Sequence, residues 1–279
     1  MMNWKPALFA LPLFLTGCVQ SMFYYPDRVR YETPEALGLR YQAVQFQSAD
    51  GTRLSGWFIP AVNRQQNPKD AKGTVVHFHG NAQNMSSHWR FVAWLPTQDF
   101  NVFVFDYRGY GQSEGKPEPK GVFEDSGAAL DHVRSRADVD PERLVVFGQS
   151  LGGSNAVAVV GSGNRAGVKA AAIESTFYSY SSIANEKLPG AGLLVSDDYA
   201  ASKYIAAISP IPLLLIHGTE DPVIPHSHSR RLLDAAREPK RLIEVAGAGH
   251  LEPMTERFGT IYQHALVEFF DASLRPRQP

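Results

Sequence analysis

The stretch Leu144-Val145-Val146-Phe147-Gly148-Gln149-Ser150-Leu151-Gly152-Gly153 decides how this chain is read. Leu144 to Phe147 is a short apolar run of the kind found in a strand buried on both faces. A helix-prone run, Gly152 to Gly161, follows it. Between them stands G-x-S-x-G, a turn so sharp that the central serine takes strained dihedrals and small residues are needed at positions −2 and +2. Such a turn lifts Ser150 above the sheet at a helix N-terminus, where the dipole favours developing negative charge. The pattern alone is weak, since roughly one chain in ten of this length would hold it by chance. Its place between a strand and a helix makes it informative.

Working outward, further short β-branched or aromatic runs read as strands: Val44 to Phe46, Leu54 to Ile59, Thr74 to Phe78, Val102 to Phe105, Val168 to Ile173, Leu213 to Ile216 and Leu242 to Val245. The first two form a hairpin around Asp50-Gly51. Helix-length segments separate the others: Met85 to Leu95, Gly121 to Arg136, Ser227 to Arg237 and Thr255 to Phe270. Buried strands alternating with helices imply a mostly parallel sheet covered on both faces. Residues 175–210 form the longest connection without a strand and are the natural place for a small cap. Its Tyr178, Tyr180, Leu193 and Leu194 are candidates to line a pocket.

A serine nucleophile needs a base, and the base an orienting acid. After the last strand comes Ala246-Gly247-Ala248-Gly249-His250, whose small residues leave the loop free to bring His250 over Ser150. The strand before it ends in His217-Gly218-Thr219-Glu220-Asp221, which puts Asp221 in reach of the imidazole. Three elements in the order Ser150, Asp221, His250, each just after a strand, define a candidate triad. Glu174, at another strand end, is the alternative acid. The strand Thr74 to Phe78 runs into His79-Gly80-Asn81, and the backbone N–H groups of Asn81 and Leu151 are the candidate oxyanion donors. His77 and His217 read as core histidines. His226 and His228 read as exposed at a helix start, and no metal site is assigned.

With Asp106-Tyr107-Arg108-Gly109-Tyr110-Gly111 after the next strand, these motifs together resemble the α/β-hydrolases, in particular their BEM46-like branch (alpha/beta hydrolase domain-containing 13 and 17). The resemblance covers about Val44 to Phe270. It implies an α/β-hydrolase fold with an eight-stranded sheet and a small cap insertion, acyl-transfer chemistry and no cofactor. Asp106 and Arg108 would brace the loop beneath the site. Eukaryotic members of that branch include protein depalmitoylases.

The N-terminus carries a different signal. Lys5 precedes a short apolar run, Ala7 to Leu15, which is too short to span a bilayer but fits the apolar part of a secretory signal. It ends Leu15-Thr16-Gly17-Cys18, which resembles the lipobox of bacterial lipoproteins and holds the chain's only cysteine. That resemblance implies cleavage after Gly17, diacylglycerol on the Cys18 thiol and a mature chain of 279 − 17 = 262 residues. The expected layout is a signal peptide over 1–17, a tether over 18–40 and the hydrolase domain over 41–279. Val19 after the cysteine points to the outer membrane of a Gram-negative cell envelope, facing the periplasm.

Composition limits the alternatives. The 279 residues are 44% hydrophobic and 20% charged, with 27 Lys+Arg against 28 Asp+Glu. A sizeable core follows, and the near-zero net charge gives no footprint for nucleic acid. One cysteine allows neither an internal disulfide nor a thiolate zinc cluster. The reading is a membrane-anchored serine hydrolase that cleaves carboxylic esters or thioesters, with a small-molecule or lipid-like acyl substrate. A peptidase or amidase of the same fold and a silent binding lipoprotein are its rivals, and the oligomeric state is left open.

Overall fold

Consecutive residues of the central strands enter two different cores. In the strand Gly73–Phe78, Val75 packs on one side with Val145, Phe147 and Leu214, while Val76 packs on the other with Val146, Ile173 and Leu215. The side-chain period of two makes both faces of the sheet apolar, so each must be covered by helices.

The computed structural model describes residues 23–275. Their strands are β1 (Tyr25–Pro26), β2 (Gln42–Gln47), β3 (Arg53–Ile59), β4 (Gly73–Phe78), β5 (Ala82–Gln83), β6 (Phe100–Asp106), β7 (Leu144–Gln149), β8 (Val168–Glu174), β9 (Leu213–Gly218) and β10 (Lys240–Val245). The helices are α1 (Met85–His88), α2 (Pro119–Ser135), α3 (Leu151–Gly161), α4 (Tyr180–Lys187), α5 (Ala201–Tyr204), α6 (Ser227–Ala235) and α7 (Ile261–Leu274). Eight strands form one sheet in the order β10-β9-β8-β7-β4-β6-β3-β2. Only β3 runs against the rest, pairing antiparallel with both β2 and β6. Helices α2, α3 and α6 cover one face, and α1 and α7 the other. This is the α/β-hydrolase fold expected from the motifs, and all eight expected strands lie in the large sheet.

Three expectations about local structure are corrected. Met85 to Leu95 is not one helix. Asn84 caps a single α turn, its side chain accepting from the Ser86 N–H at 2.9 Å, and the chain continues in 3-10 turns towards Pro96. The last helix begins at Ile261 rather than Thr255, because Gly259 at φ 63° breaks the backbone before it. Residues 18–40 are not a free tether from Phe23 onward. Tyr24 is buried, β1 pairs with β5, and the Tyr31 N–H donates to Ser86 Oγ at 3.0 Å. The expected signal peptide and Cys18 lie outside the described residues.

The cap over 175–210 is built from α4, a 3-10 turn at Ala191–Leu194 and α5. His228 of α6 pins it down. This ring is buried rather than exposed as expected, accepting the Tyr178 N–H at Nδ1 (2.8 Å) and donating from Nε2 to Glu186 (2.8 Å).

Two glycines test how the fold spaces its layers. A Cβ on Gly152 would lie 2.0 Å from the Phe78 carbonyl oxygen and 2.4 Å from that of His79, both rigid backbone. A Cβ on Gly127, inside α2, would meet only Asn164 Nδ2 at 3.7 Å. Gly152→Ala is expected to lower stability by about 3 kcal/mol or more. Gly127→Ala should raise it by about 0.5–1 kcal/mol, because a helical glycine leaves the unfolded chain more freedom. Urea midpoints of the two variants check this, and equal shifts of one sign would refute it.

Candidate active site

Every candidate group sits at the carboxyl edge of the parallel strands. Ser150 follows β7, Asn81 follows β4, Asp221 follows β9 and His250 follows β10. Ser150 has φ 54° and ψ −121°, a conformation strained for a residue with a Cβ. Its neighbours permit it. A Cβ on Gly148 would meet Gly152 O and Gly153 Cα at 2.6 Å, and one on Gly153 would meet Thr176 Oγ1 at 1.9 Å. The Ser150 N–H is satisfied by Glu174 O at 2.9 Å.

Asp221 and His250 are joined. His250 Nδ1 lies 2.8 Å from Asp221 Oδ2, so Nδ1–H donates to the carboxylate and Nε2 is left as the basic nitrogen. Three further donors hold Asp221. The Val223 and Ile224 N–H groups each donate to Oδ1 at 2.9 Å, and His217 Nε2 lies 3.2 Å from Oδ2. Burial alone would push this carboxyl up in pKa. The hydrogen bonds from His217, His250 and the Ile224 amide, with the His250 charge, outweigh it and hold the group far below the usual carboxylate range. His217, expected as a core histidine, is a buried ring that also braces the acid, with Nδ1 on Ser229 Oγ at 2.6 Å.

Among the described residues no hydrogen bond joins Ser150 Oγ to His250, and neither the Asn81 nor the Leu151 N–H is taken by a turn or side-chain acceptor. Asn81 and Leu151 border one cavity of about 700 Å³ together with Ser150. Phe177, Ile183, Ala184 and Leu188 of the cap region make its wall apolar. Of the cap residues expected to line a pocket, Leu194 does so. Tyr180 is instead buried between Phe23 and Phe177, Leu193 points to solvent, and Tyr178 lies under Arg231. The wall also includes Phe23 and Tyr25 from the N-terminal segment, unforeseen from the sequence. Phe23 meets Phe177 and Tyr180 and Tyr25 pairs with the Asn81 loop, all far away in sequence, and no local pattern marks either.

The loop carrying Asn81 is fixed from several sides. The Asn81 carbonyl accepts the Tyr25 N–H at 2.8 Å and the Tyr110 hydroxyl at 2.7 Å. His79 donates from Nδ1 to Gly80 O at 2.7 Å, and its Nε2 lies 3.6 Å from Asp106 Oδ1. Asp106 accepts the Met85 N–H at 2.6 Å, and burial pushes its carboxyl up to about 7. Arg108 grips Asp125 through Nε and Nη2 and reaches Asp50 at 2.9 Å. No group of His, Cys, Asp and Glu able to hold a metal occurs among the described residues.

Glu174, the alternative acid, is not next to His250 in the hydrogen-bond network. It is fully buried and accepts from Gln149 Nε2 at 2.6 Å, and Gln149 Oε1 in turn meets His77 Nε2 at 2.9 Å. Burial, with the nearby Asp221 charge, pushes Glu174 up to about 7. A carboxyl raised in the folded state keeps its proton where the unfolded chain has lost it, so stability falls as pH rises from the ordinary Glu range through 7. Glu174→Gln keeps an acceptor for Gln149 and removes this loss. Its stability relative to the parent should grow by up to about 3 kcal/mol between about pH 5 and about pH 8. Denaturant titrations of both proteins check this, with parallel pH curves as the refuting result. Asp106 titrates alike in both and cancels.

Similarity to known proteins agrees with this geometry. The family model described as serine aminopeptidase, S33 matches residues 69–196. The uncharacterized protein YfhR of Escherichia coli K12 is 48% identical over 258 residues, 92% of this chain and 89% of that one. The alpha/beta hydrolase domain-containing protein WAV2 of Arabidopsis thaliana is 34% identical over 257 residues, 86% of this chain and 81% of that one. Among solved structures, the Pyrococcus furiosus esterase Pf2001 superposes with a TM-score of 0.74 at 21% identity, over 91% of this chain and 99% of that one. The chain belongs to the α/β-hydrolase superfamily.

Proposed function

We propose that the chain is a serine hydrolase that cleaves carboxylic esters or thioesters of apolar acids through an acyl-Ser150 intermediate. One observation carries this reading: the strained Ser150 and the hydrogen-bonded His250–Asp221 pair share the edge of the sheet where an apolar cavity opens on the serine. In the reaction, His250 Nε2 closes on Ser150 Oγ as substrate binds and takes its proton while Oγ bonds to the acyl carbon. The Asn81 and Leu151 amides receive the oxyanion, worth about 3 kcal/mol for a donor of this kind. The tetrahedral adduct collapses, the leaving alcohol or thiol departs with the proton from His250, and water hydrolyses the acyl-serine by the same path. Asp221 stays ionised and holds the imidazole tautomer throughout.

The peptidase reading has the name of the matching family model in its favour. An aminopeptidase must hold a free substrate amine, and a carboxylate is the natural partner for it. Among the described residues the only charged one lining this cavity is Lys187, which would repel that amine and suits an uncharged acyl chain. The 27% identity to the protein bem46 of Schizosaccharomyces pombe, over 74% of this chain, supports placement in the BEM46-like branch. As for location, the Leu15 to Cys18 lipobox supports a lipid-anchored protein of the bacterial envelope, held through Cys18 at the outer membrane and facing the periplasm.

A fluorophosphonate probe should label the wild type and leave Ser150→Ala unlabelled. Asp221→Asn should keep the fold and lower kcat/KM on p-nitrophenyl esters by about 10³–10⁴. Aminoacyl p-nitroanilides should be cleaved far more slowly than the esters. Labelling of Ser150→Ala would overturn the nucleophile, and faster anilide cleavage would favour the peptidase.

A further inference from the structure

Half of the exposed large apolar side chains among the described residues surround one opening. Of ten such residues, Tyr25, Leu188, Leu194 and Val223 both line the Ser150 cavity and face solvent, and Leu193, beside Leu194, is 91% exposed. Scattered single apolar residues are ordinary on a protein surface, whereas a cluster around a cavity mouth marks a contact surface. Lys187 joins the same rim.

Resting on the esterase reading above, we propose that this rim docks on a phospholipid bilayer, so that a lipid-borne acyl chain passes from the membrane into the cavity. The position of the chain's N-terminal part selects a bilayer as the occupant. Phe23 is part of the cavity wall. Cys18, the lipidation candidate, stands five positions before it, at most about 18 Å of extended chain. A diacylglycerol on that cysteine therefore holds the opening close to the lipid surface. The apolar run Ala7 to Leu15 lies before the cleavage point and is lost from the mature chain, so it does not cover the rim. Leucines on the rim can enter the acyl boundary while Lys187 meets anionic headgroups.

The test uses the full lipoprotein in phosphatidylethanolamine–phosphatidylglycerol vesicles. Leu193→Cys carries an environment-sensitive dye on the rim. Val62→Cys carries it on the turn after β3, at the opposite edge of the sheet. A lipid-borne quencher should quench the dye at 193 and spare the dye at 62. Dye uptake by the wild type would reveal a free Cys18 and overturn the anchored geometry. Equal quenching at both positions, no quenching at 193, or self-quenching between copies in solution would also overturn the docking.

A second variant reads the consequence for turnover. Leu193→Asp should leave hydrolysis of a soluble short-chain ester unchanged and slow hydrolysis of a vesicle-borne long-chain ester by about tenfold. Equal slowing of both would mean a structural defect and refute the role. Fluorophosphonate labelling of the same samples separates the two readings. Quenching at 193 without labelling would keep the docking and sink the esterase.

Discussion

The site depends on a backbone crossing. Gly152, the third residue of the turn after β7, lies so close to the carbonyl oxygens of Phe78 and His79 that the space holds no side chain. The same approach ties two halves of the candidate chemistry together. Phe78 and His79 lead directly into the Asn81 loop, while Gly152 is the second residue of the helix that begins at Leu151. A turn loose enough to relax Ser150 would move that helix away from β4 and separate the two candidate oxyanion donors. Strain at one residue is therefore kept by contacts that the rest of the sheet over-determines.

Electrostatics divides the buried acids beneath this edge into two kinds. Asp221 meets two backbone N–H groups and two imidazoles and is held as an anion. Glu174 and Asp106, more deeply buried than Asp221, meet fewer compensating donors, and burial raises both. Desolvation pushes all three upward, and at Asp221 the four donors, two of them imidazoles, outweigh it. A carboxylate held as an anion against His250 is thereby distinguished from two carboxyls that fasten loops.

Much of this was legible in the sequence, for a local reason. Buried strands, the glycine spacing around Ser150 and the short loops at strand ends are each written within about ten residues, and they predict sheet, turn and triad order. What escaped was written across distance. His228 looks exposed at a helix start, yet the cap folds over it and it receives the Tyr178 amide. His217 looks like packing, and only the turn back through Ile224 shows it bracing Asp221. The helix expected over Met85 to Leu95 starts as read, capped by Asn84 and Asp106, but after one turn the chain tightens into 3-10 turns towards Pro96. Phe23 and Tyr25 gave no signal at all, since their role exists only once the cap is in place.

Those two residues change what the N-terminal segment is. Tyr25 donates its N–H to the Asn81 carbonyl, the Gly111 N–H donates to Asp27 O, and Asn84 Nδ2 reaches Asp27 Oδ1 at 2.6 Å. The segment thus links the loop after β4, which runs on into the cap of α1, to the loop after β6. The Asn81 carbonyl is pinned by two donors, which fixes the peptide joining Asn81 to Ala82 beside the cavity. A free leash would transmit nothing to the site. A segment stitched into the Asn81 loop makes the approach of the chain from residue 23 onward part of the geometry around Ser150.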